Sequence, residues 1–228
     1  MVLPVAPMAL PAADEDNGLQ FTTQHVMDTH MRGKALSVVY INDPVLVESS
    51  IQTMEQFLAE DKYQVVGFDV EYTMGRAGHV QKVAITQLCM RHDVLVYHHH
   101  LATTPCVRSS RFINSSDYSF AAVDTTNDLK ALKVSGLKCP NLVNIQCHYK
   151  VWGSDKNKLN SLVDLASAII DPYYAKMKEE GNMEKNAWHS VWHERPDEQH
   201  VKYAGMDMYT SYEMYRRIID MRNCLLPD

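Results

Sequence analysis

The chain has 228 residues, of which 46% are hydrophobic, and it carries a formal net charge of −6. This length predicts a single domain with ample material for a core. The excess of acidic residues argues against a protein that holds nucleic acid on a broad basic surface, but not against an enzyme that contacts a few phosphates through metal cations. The five cysteines form no CxxC pair, which favours a reducing compartment over a disulfide framework.

Residues 1–35 are interpreted as a flexible N-terminal tail, and residues 36–228 as the folded domain. The apolar beginning of the tail has no Lys or Arg before it and is interrupted by Pro4 and Pro7. It is therefore untypical of a signal peptide and too short to span a membrane, and no other stretch approaches that length. We expect an intracellular protein, in the nucleus or the cytoplasm, that does not associate with membranes.

The first half of the domain alternates between strand and helix patterns. A strand is predicted over 36–43 and a helix over 47–60, where Ile51, Met54 and Leu58 recur at helical spacing. Three strand-like runs follow, at 64–72, 82–90 and 93–99. Because the links between these runs are short, they predict an antiparallel meander.

The second half predicts further strands and helices in alternation. Residues 101–117 are polar, with room for a short helix, and a helix capped by Asn127 is expected over 127–133. The other predicted elements are strands at 118–124 and 141–146 and helices at 158–170 and 196–221. This order predicts an α/β fold in which a mixed sheet, with an antiparallel meander and parallel strands, is flanked by helices.

The stretch VVGFDVEY, residues 65–72, places two acids in an apolar strand. Side chains alternate along a strand, so Asp69 and Glu71 share one face and lie about 7 Å apart. At an effective dielectric constant of about 20, two charges at that distance repel by roughly 2 kcal/mol. Either a positive group lies between them or the end of the strand is open to water.

Two more carboxylates occur at positions that favour a functional role. Asp128 begins a predicted helix directly after a strand, and Asp207 lies in the middle of the last helix. An aspartate within a helix is disfavoured by its intrinsic propensity, so propensity does not explain Asp207. Tyr203 is four residues earlier and therefore shares a helix face with Asp207.

These residues resemble, in order, the motifs of the DEDD superfamily of 3′→5′ exonucleases. The likeness is greatest to the branch of the Werner-syndrome exonuclease and RNase D, which has a tyrosine in its third motif. GFDVEY matches the first motif, KVAITQL the strand after it, NDLKAL the second motif and YAGMDMY the third. The resemblance spans roughly residues 36–220 and implies an RNase H-like fold.

The resemblance also implies a mechanism with two ions of Mg²⁺ or Mn²⁺, for which carboxylates are suitable ligands. Asp69, Glu71 and Asp207 would hold one ion, and Asp69 and Asp128 the other. The first ion would activate the attacking water, which Tyr203 would orient, and the second would stabilise the leaving 3′ oxygen. The implied substrate is the 3′ end of DNA or RNA, and the implied products are nucleoside 5′-monophosphates.

Some residues differ from the family pattern or have two interpretations. Ala122 and Asp124 occupy positions of the second motif at which relatives have small residues or glycine, and Tyr72 replaces a frequent tryptophan. The remaining candidates are basic residues after the acidic strand, which either form a surface turn or contact backbone phosphates: Arg76, His79 and Lys82.

An alternative function is a DEDD-fold protein with little or no catalytic activity that acts as a binding or regulatory module. The acidic net charge and the altered second motif favour it, whereas the complete set of five motif residues argues against it. No zinc-hydrolase motif is present, because His189 and His193 lack the HExxH order. The run His98–His100 is interpreted as a solvated strand end, and Trp188 and Trp192 as packing residues.

Overall fold

We describe a computed structural model of the chain. It covers residues 21–26, 35–73, 81–155, 158–176, 192, 194, 196 and 198–225, with only the backbone of 21–26, 198, 199, 202 and 225. The strands are β1 (Phe21–Val26), β2 (Ala35–Ile41), β3 (Val65–Tyr72), β4 (Val83–Met90), β5 (Asp93–His98), β6 (Ser119–Ala122) and β7 (Leu142–Asn144). The helices are α1 (Pro44–Glu60), α2 (Val107–Ile113), α3 (Thr125–Val134), α4 (Leu162–Ile169) and α5 (Glu198–Leu225).

The seven strands form one mixed sheet in the order β1-β2-β5-β4-β3-β6-β7. The predicted meander is confirmed, because β3 pairs antiparallel with β4, and β4 antiparallel with β5. Three pairs are parallel, namely β2 with β5, β3 with β6, and β6 with β7. The predicted mixed α/β sheet flanked by helices is therefore confirmed.

The sheet separates two apolar clusters of buried residues. One cluster contains residues of α4 and α5, including Leu165 and Met208. The other contains residues of α1, α2 and α3, including Ile51 and Phe112. We call the two sides of the sheet the α5 face and the α1–α3 face. Both clusters draw on alternating residues of the central strands, as the pleat of a sheet covered on two sides requires.

Three features differ from the sequence-based expectations. Strand β1 pairs antiparallel with β2, although its residues lie in the range 1–35 assigned to a flexible tail. Its sequence FTTQHV contains only two strongly apolar residues, so hydrophobic patterning does not predict this strand, which is formed by hydrogen bonding to β2. Helix α3 begins at Thr125 with Asp124 in the N-cap position, so the prediction of Asn127 as the cap was wrong. His98 is wholly buried rather than solvated.

In the described part of the chain, no helix is both long and apolar enough to cross a bilayer.

Candidate active site

Strand β3 places Asp69 and Glu71 on the α5 face of the sheet. Phe68 and Val70, which alternate with them, pack into the apolar cluster of the α1–α3 face. One carboxylate oxygen of Asp69 accepts a hydrogen bond from the backbone N–H of Val70 at 2.9 Å. The amide Nε2 of Gln87, on β4, is 3.5 Å from Oε1 of Glu71.

Helix α5 crosses β3 closely enough to bring its own acid to the same place. A Cβ atom at Gly67 would lie 2.5 Å from the carbonyl oxygen of Met208, so only glycine permits this approach. The neighbouring Asp207 is close enough to Asp69 and Glu71 for its charge to raise the pKa of both. The hydroxyl of Tyr203 donates a hydrogen bond to the side chain of Asp207, one helical turn away. Burial and the charge of this carboxylate raise the pKa of the phenol.

The fourth carboxylate, Asp128, reaches the site from the opposite face of the sheet. Strands β3 and β6 are parallel, so their carboxyl ends meet at one edge, and α3 begins there directly after β6. Asp128, in the first turn of α3, is only 4% exposed. Its Oδ1 accepts a hydrogen bond from the hydroxyl of Tyr72. Its Oδ2 is buried and accepts no hydrogen bond from the described residues.

These carboxylates form one electrostatic cluster. Burial, together with the charges of Asp207 and Asp128, raises the pKa of Glu71 to about 8. Burial and the charges of Asp128, Glu71 and Asp207 raise the pKa of Asp69 well above its usual value. Burial and the charge of Asp124 raise the pKa of Asp128 to about 6, although the hydrogen bond from Tyr72 lowers it. Burial is thus the main reason that these three acids resist ionisation, and neighbouring carboxylates add to it.

The donor set fits divalent cations in its chemistry. Among the described residues, no Lys or Arg forms an ion pair with Asp69, Glu71 or Asp128. Four carboxylates that share a partly buried site are suitable oxygen ligands for hard cations such as Mg²⁺ and Mn²⁺. Over the same residues, however, no three His, Cys, Asp or Glu side chains converge in the arrangement of a preformed metal site.

The altered second motif has a backbone explanation. Asp124 adopts a left-handed conformation, with φ 59° and ψ 61°, and its side chain makes no capping hydrogen bond to α3. Glycine adopts this conformation without strain, and aspartate is among the few other residues that tolerate it. Asp124, at a position where relatives have small residues or glycine, therefore has a backbone conformation that favours glycine. Its charge nevertheless acts on Asp128.

The other candidates from the sequence form contacts with other residues or lie outside the described residues. Lys82 is exposed before β4, where its backbone N–H bonds to Oγ1 of Thr73. Trp192 is 2% exposed, which confirms its interpretation as a packing residue. Predictions that fall outside the described residues concern Arg76, His79, Trp188, His189 and His193.

Sequence reasoning missed several neutral or basic residues near the acids. In the sequence, Tyr72 stands out only because relatives frequently have tryptophan there, and its spacing from Asp128 does not predict the hydrogen bond between them. Gln87 pairs in register with Asp69, and a buried glutamine in an apolar strand was the available signal. Lys130 lines a cavity of about 310 Å³ beside the site. The remaining residues that line it are Tyr72, Gln81, Asn127, Ala131 and Val134.

Comparison with known proteins identifies the family. A family model described as 3′-5′ exonuclease matches residues 44–221, more than half of the chain. No curated protein matches the sequence.

Three solved structures have the same fold. The EXO domain of Nibbler from Aedes aegypti is 15% identical with a TM-score of 0.58, over 83% of this chain and 90% of that one. RNase D of Escherichia coli is 13% identical with a TM-score of 0.61, over 81% of this chain and 45% of that one. RNase D of Trypanosoma brucei in complex with RNA U12 is 14% identical with a TM-score of 0.59, over 79% of this chain and 61% of that one.

This chain thus spans less than two thirds of the two RNase D chains. At these identities the structural likeness establishes the RNase H-like fold, while the family model covers the segment from α1 to α5 that carries all four carboxylates. The chain belongs to the 3′–5′ exonuclease family.

Proposed function

We propose that this protein is a metal-dependent 3′–5′ exonuclease that hydrolyses the terminal phosphodiester bond of a nucleic acid and releases nucleoside 5′-monophosphates. One observation carries the proposal: four carboxylates from β3, α3 and α5 meet where β3 and β6 end, and burial together with the charges of Asp128 and Asp207 raises the pKa of Asp69 and Glu71. Buried acids that lie close together destabilise the folded state, so a cluster of this kind indicates a functional site.

Asp69, Glu71, Asp128 and Asp207 would hold two divalent cations, Mg²⁺ or Mn²⁺. When bound, these ions supply positive charge that favours deprotonation of water and stabilises the developing charge on the leaving oxygen. Ionised carboxylates bind cations, so bound cations would also reduce the repulsion between these acids and favour their ionised forms.

Tyr203 would orient the attacking water rather than remove its proton. Its raised pKa keeps the phenol protonated at neutral pH, so it is unsuited to the role of a general base. Its O–H is donated to Asp207, so its oxygen can accept one hydrogen bond from the water at a defined place beside the carboxylates. In the reaction, the water oxygen forms a bond to phosphorus as the bond from phosphorus to the 3′ oxygen of the preceding nucleotide breaks.

The substrate strand would lie over the edge of the sheet, where the cavity beside Asp128 offers one contact. Its rim carries Lys130, whose ammonium group is 3.4 Å from the side-chain oxygen of Asn127 and is exposed. An exposed lysine at such a rim can bind a backbone phosphate. The chain's acidic net charge makes such individual contacts more important than a general basic surface. Arg76, His79 and Lys82 remain further candidates for phosphate contacts.

The alternative of a binding or regulatory module rests on Asp124. Its negative charge lies near Asp128 and opposes the approach of a phosphate. In that case a strand bound through contacts elsewhere would not be shortened, because its phosphate would be kept away from Asp128.

A nuclease assay on 5′-labelled DNA and RNA tests the proposal. RNA belongs in the assay because one neighbour with the same fold is described in complex with RNA. We expect a ladder that shortens from the 3′ end with Mg²⁺ or Mn²⁺, disappears with chelator, and is lost in Asp69→Ala and Asp207→Ala.

Lys130→Glu should raise the KM of this reaction while leaving kcat nearly unchanged. Lys133→Glu, an exposed charge reversal on the same helix outside the cavity, serves as its control. Binding of the strand without cleavage in every metal condition would favour the regulatory module instead.

A further inference from the structure

Tyr72 follows Glu71 directly, but a change of strand register separates the two residues. Glu71 pairs with Ile85, whereas Tyr72 pairs with Val83, so one residue of β4 is passed over between them. Such irregularities re-aim side chains and are common beside active sites. Tyr72 packs against the apolar cluster of the α1–α3 face, on the same side of the sheet as α3.

From that position Tyr72 makes a specific contact with an acid of the candidate site. Its hydroxyl donates a hydrogen bond to Oδ1 of Asp128. Asp128 is 4% exposed, and its other oxygen, Oδ2, has no hydrogen-bond donor among the residues that the structure describes. The contact therefore holds one oxygen of the carboxylate and leaves the second oxygen for another ligand.

No hydrogen bond from helix α3, which the structure describes throughout, holds the carboxylate of Asp128 in place. Asp128 lies in the first turn of α3, but α3 begins at Thr125 and its N-cap residue makes no side-chain capping bond. Neither the position of Asp128 in the first turn nor the N-cap residue of α3 fixes the rotation of the Asp128 carboxylate. In the described part of the chain, the phenol of Tyr72 is the hydrogen-bond donor that does so.

We propose that Tyr72 is a positioning residue that orients Asp128 toward a divalent cation. The inference rests on the proposed function only in assuming that these acids bind a cation, and not on the hydrolysis itself. Hydrogen bonds from a second layer of residues fix the orientation of metal ligands, and their loss typically lowers metal affinity by roughly 10- to 100-fold.

The substitution Tyr72→Phe tests this directly, because it keeps the ring and its packing but removes the donor. Mn²⁺ binding to the full chain is measured by isothermal titration calorimetry, which needs no substrate and no turnover. We expect Tyr72→Phe to weaken Mn²⁺ binding roughly 10- to 100-fold. Tyr118→Phe, a half-buried tyrosine that packs against Phe112 away from the acids, should bind Mn²⁺ as the wild type does.

A double-mutant cycle with Asp128→Asn shows whether Tyr72 acts through Asp128. If it does, Tyr72→Phe will have no further effect on Mn²⁺ affinity in the Asp128→Asn protein. A purely structural role would instead lower the melting temperature in chelator and leave the affinity of Tyr72→Phe equal to that of the wild type. That result would overturn the inference, as would an equal loss of affinity in both backgrounds.

The cycle also separates this inference from the proposed function. A wild-type protein that binds Mn²⁺ but cleaves no nucleic acid would contradict the exonuclease proposal and leave the role of Tyr72 to be decided by the cycle. A wild-type protein that binds no Mn²⁺ would overturn the inference, whatever the nuclease assay gives.

Discussion

Asp69 lies at the centre of the carboxylate cluster. Its pKa is raised by burial and by three other acids, Asp128, Glu71 and Asp207. The only hydrogen bond to its carboxylate among the described residues comes from the adjacent backbone N–H of Val70. Asp69 is therefore a residue at which stability and the proposed activity conflict, as is common at functional sites.

Asp69→Asn should stabilise the metal-free protein and abolish its nuclease activity. Asparagine retains the acceptor oxygen for Val70 but removes one charge from the cluster. The repulsion between two such acids is on the order of 2 kcal/mol, so we expect a gain of this size in the free energy of unfolding, measured by urea denaturation in chelator.

Added Mn²⁺ should stabilise the wild type and have little effect on Asp69→Asn. Asp117→Asn, which removes an exposed charge, should change stability by less than about 0.5 kcal/mol. A destabilised Asp69→Asn protein in chelator would contradict this account of the cluster.

At the scale of elements, two glycines determine how closely α5 lies on the sheet. A Cβ atom at Gly67 would meet the carbonyl oxygen of Met208 at 2.5 Å. A Cβ atom at Gly205 would meet Cγ2 of Val38, on β2, at the same distance. Tyr203 and Asp207 lie on either side of Gly205, so the fit of α5 against β2 and β3 positions both residues.

Gly67→Ala should be the more damaging of the two substitutions, because the clash is with backbone and can be relieved only by moving α5. We expect it to destabilise the protein by at least about 2 kcal/mol and to reduce nuclease activity. Gly205→Ala collides with a side chain, so Val38→Ala in the same protein should restore part of the lost stability. Thermal unfolding of the single and double variants checks this, and a double variant no more stable than Gly205→Ala would contradict it.

At the scale of the whole molecule, histidines with lowered pKa values and acids with raised pKa values determine how stability depends on pH. Burial lowers the pKa of His99 to about 4, and burial together with the charge of His100 lowers that of His98 to about 4. His98 bonds through Nδ1 to the hydroxyl of Tyr40 at 2.6 Å, and His99 through Nε2 to Thr86 at 2.6 Å.

Histidine in the unfolded chain has a pKa near 6.5. Between about pH 6.5 and pH 4, these histidines are therefore protonated in the unfolded state but neutral in the folded state. The stability contribution of a neutral buried histidine is therefore complete above about pH 6.5 and is lost as the pH falls toward 4. The raised pKa values of Glu71 and Asp128 act in the opposite sense, because the folded state binds those protons more readily than the unfolded state.

Replacing one histidine isolates its contribution. We expect the wild type to lose about 1 to 2 kcal/mol more stability than His99→Gln between pH 7 and pH 5, measured by urea denaturation. Gln52→Ala, which removes an exposed side chain that does not titrate in this range, serves as the control and should leave the pH dependence unchanged. Identical pH profiles for the wild type and His99→Gln would show that His99 does not couple folding to protonation.

The sequence by itself determined the features that depend on local periodicity and order. Alternation along VVGFDVEY placed Asp69 and Glu71 on one face, and short links predicted the β3–β4–β5 meander. The helical spacing of Tyr203 and Asp207 placed them together, and their hydrogen bond agrees with it. These inferences succeeded because the period of a strand or helix is set by the backbone alone.

Only the tertiary structure decided which groups from distant parts of the chain meet. The pairing of β1 with β2, the burial of His98 and the start of α3 at Thr125 depend on neighbours that no local pattern reveals. The hydrogen bond from Tyr72 to Asp128 joins residues that are 56 positions apart. It requires the irregularity in β3 and the parallel pairing of β3 with β6, because hydrogen bonds act over about 3 Å and the intervening chain length carries no information about such a contact.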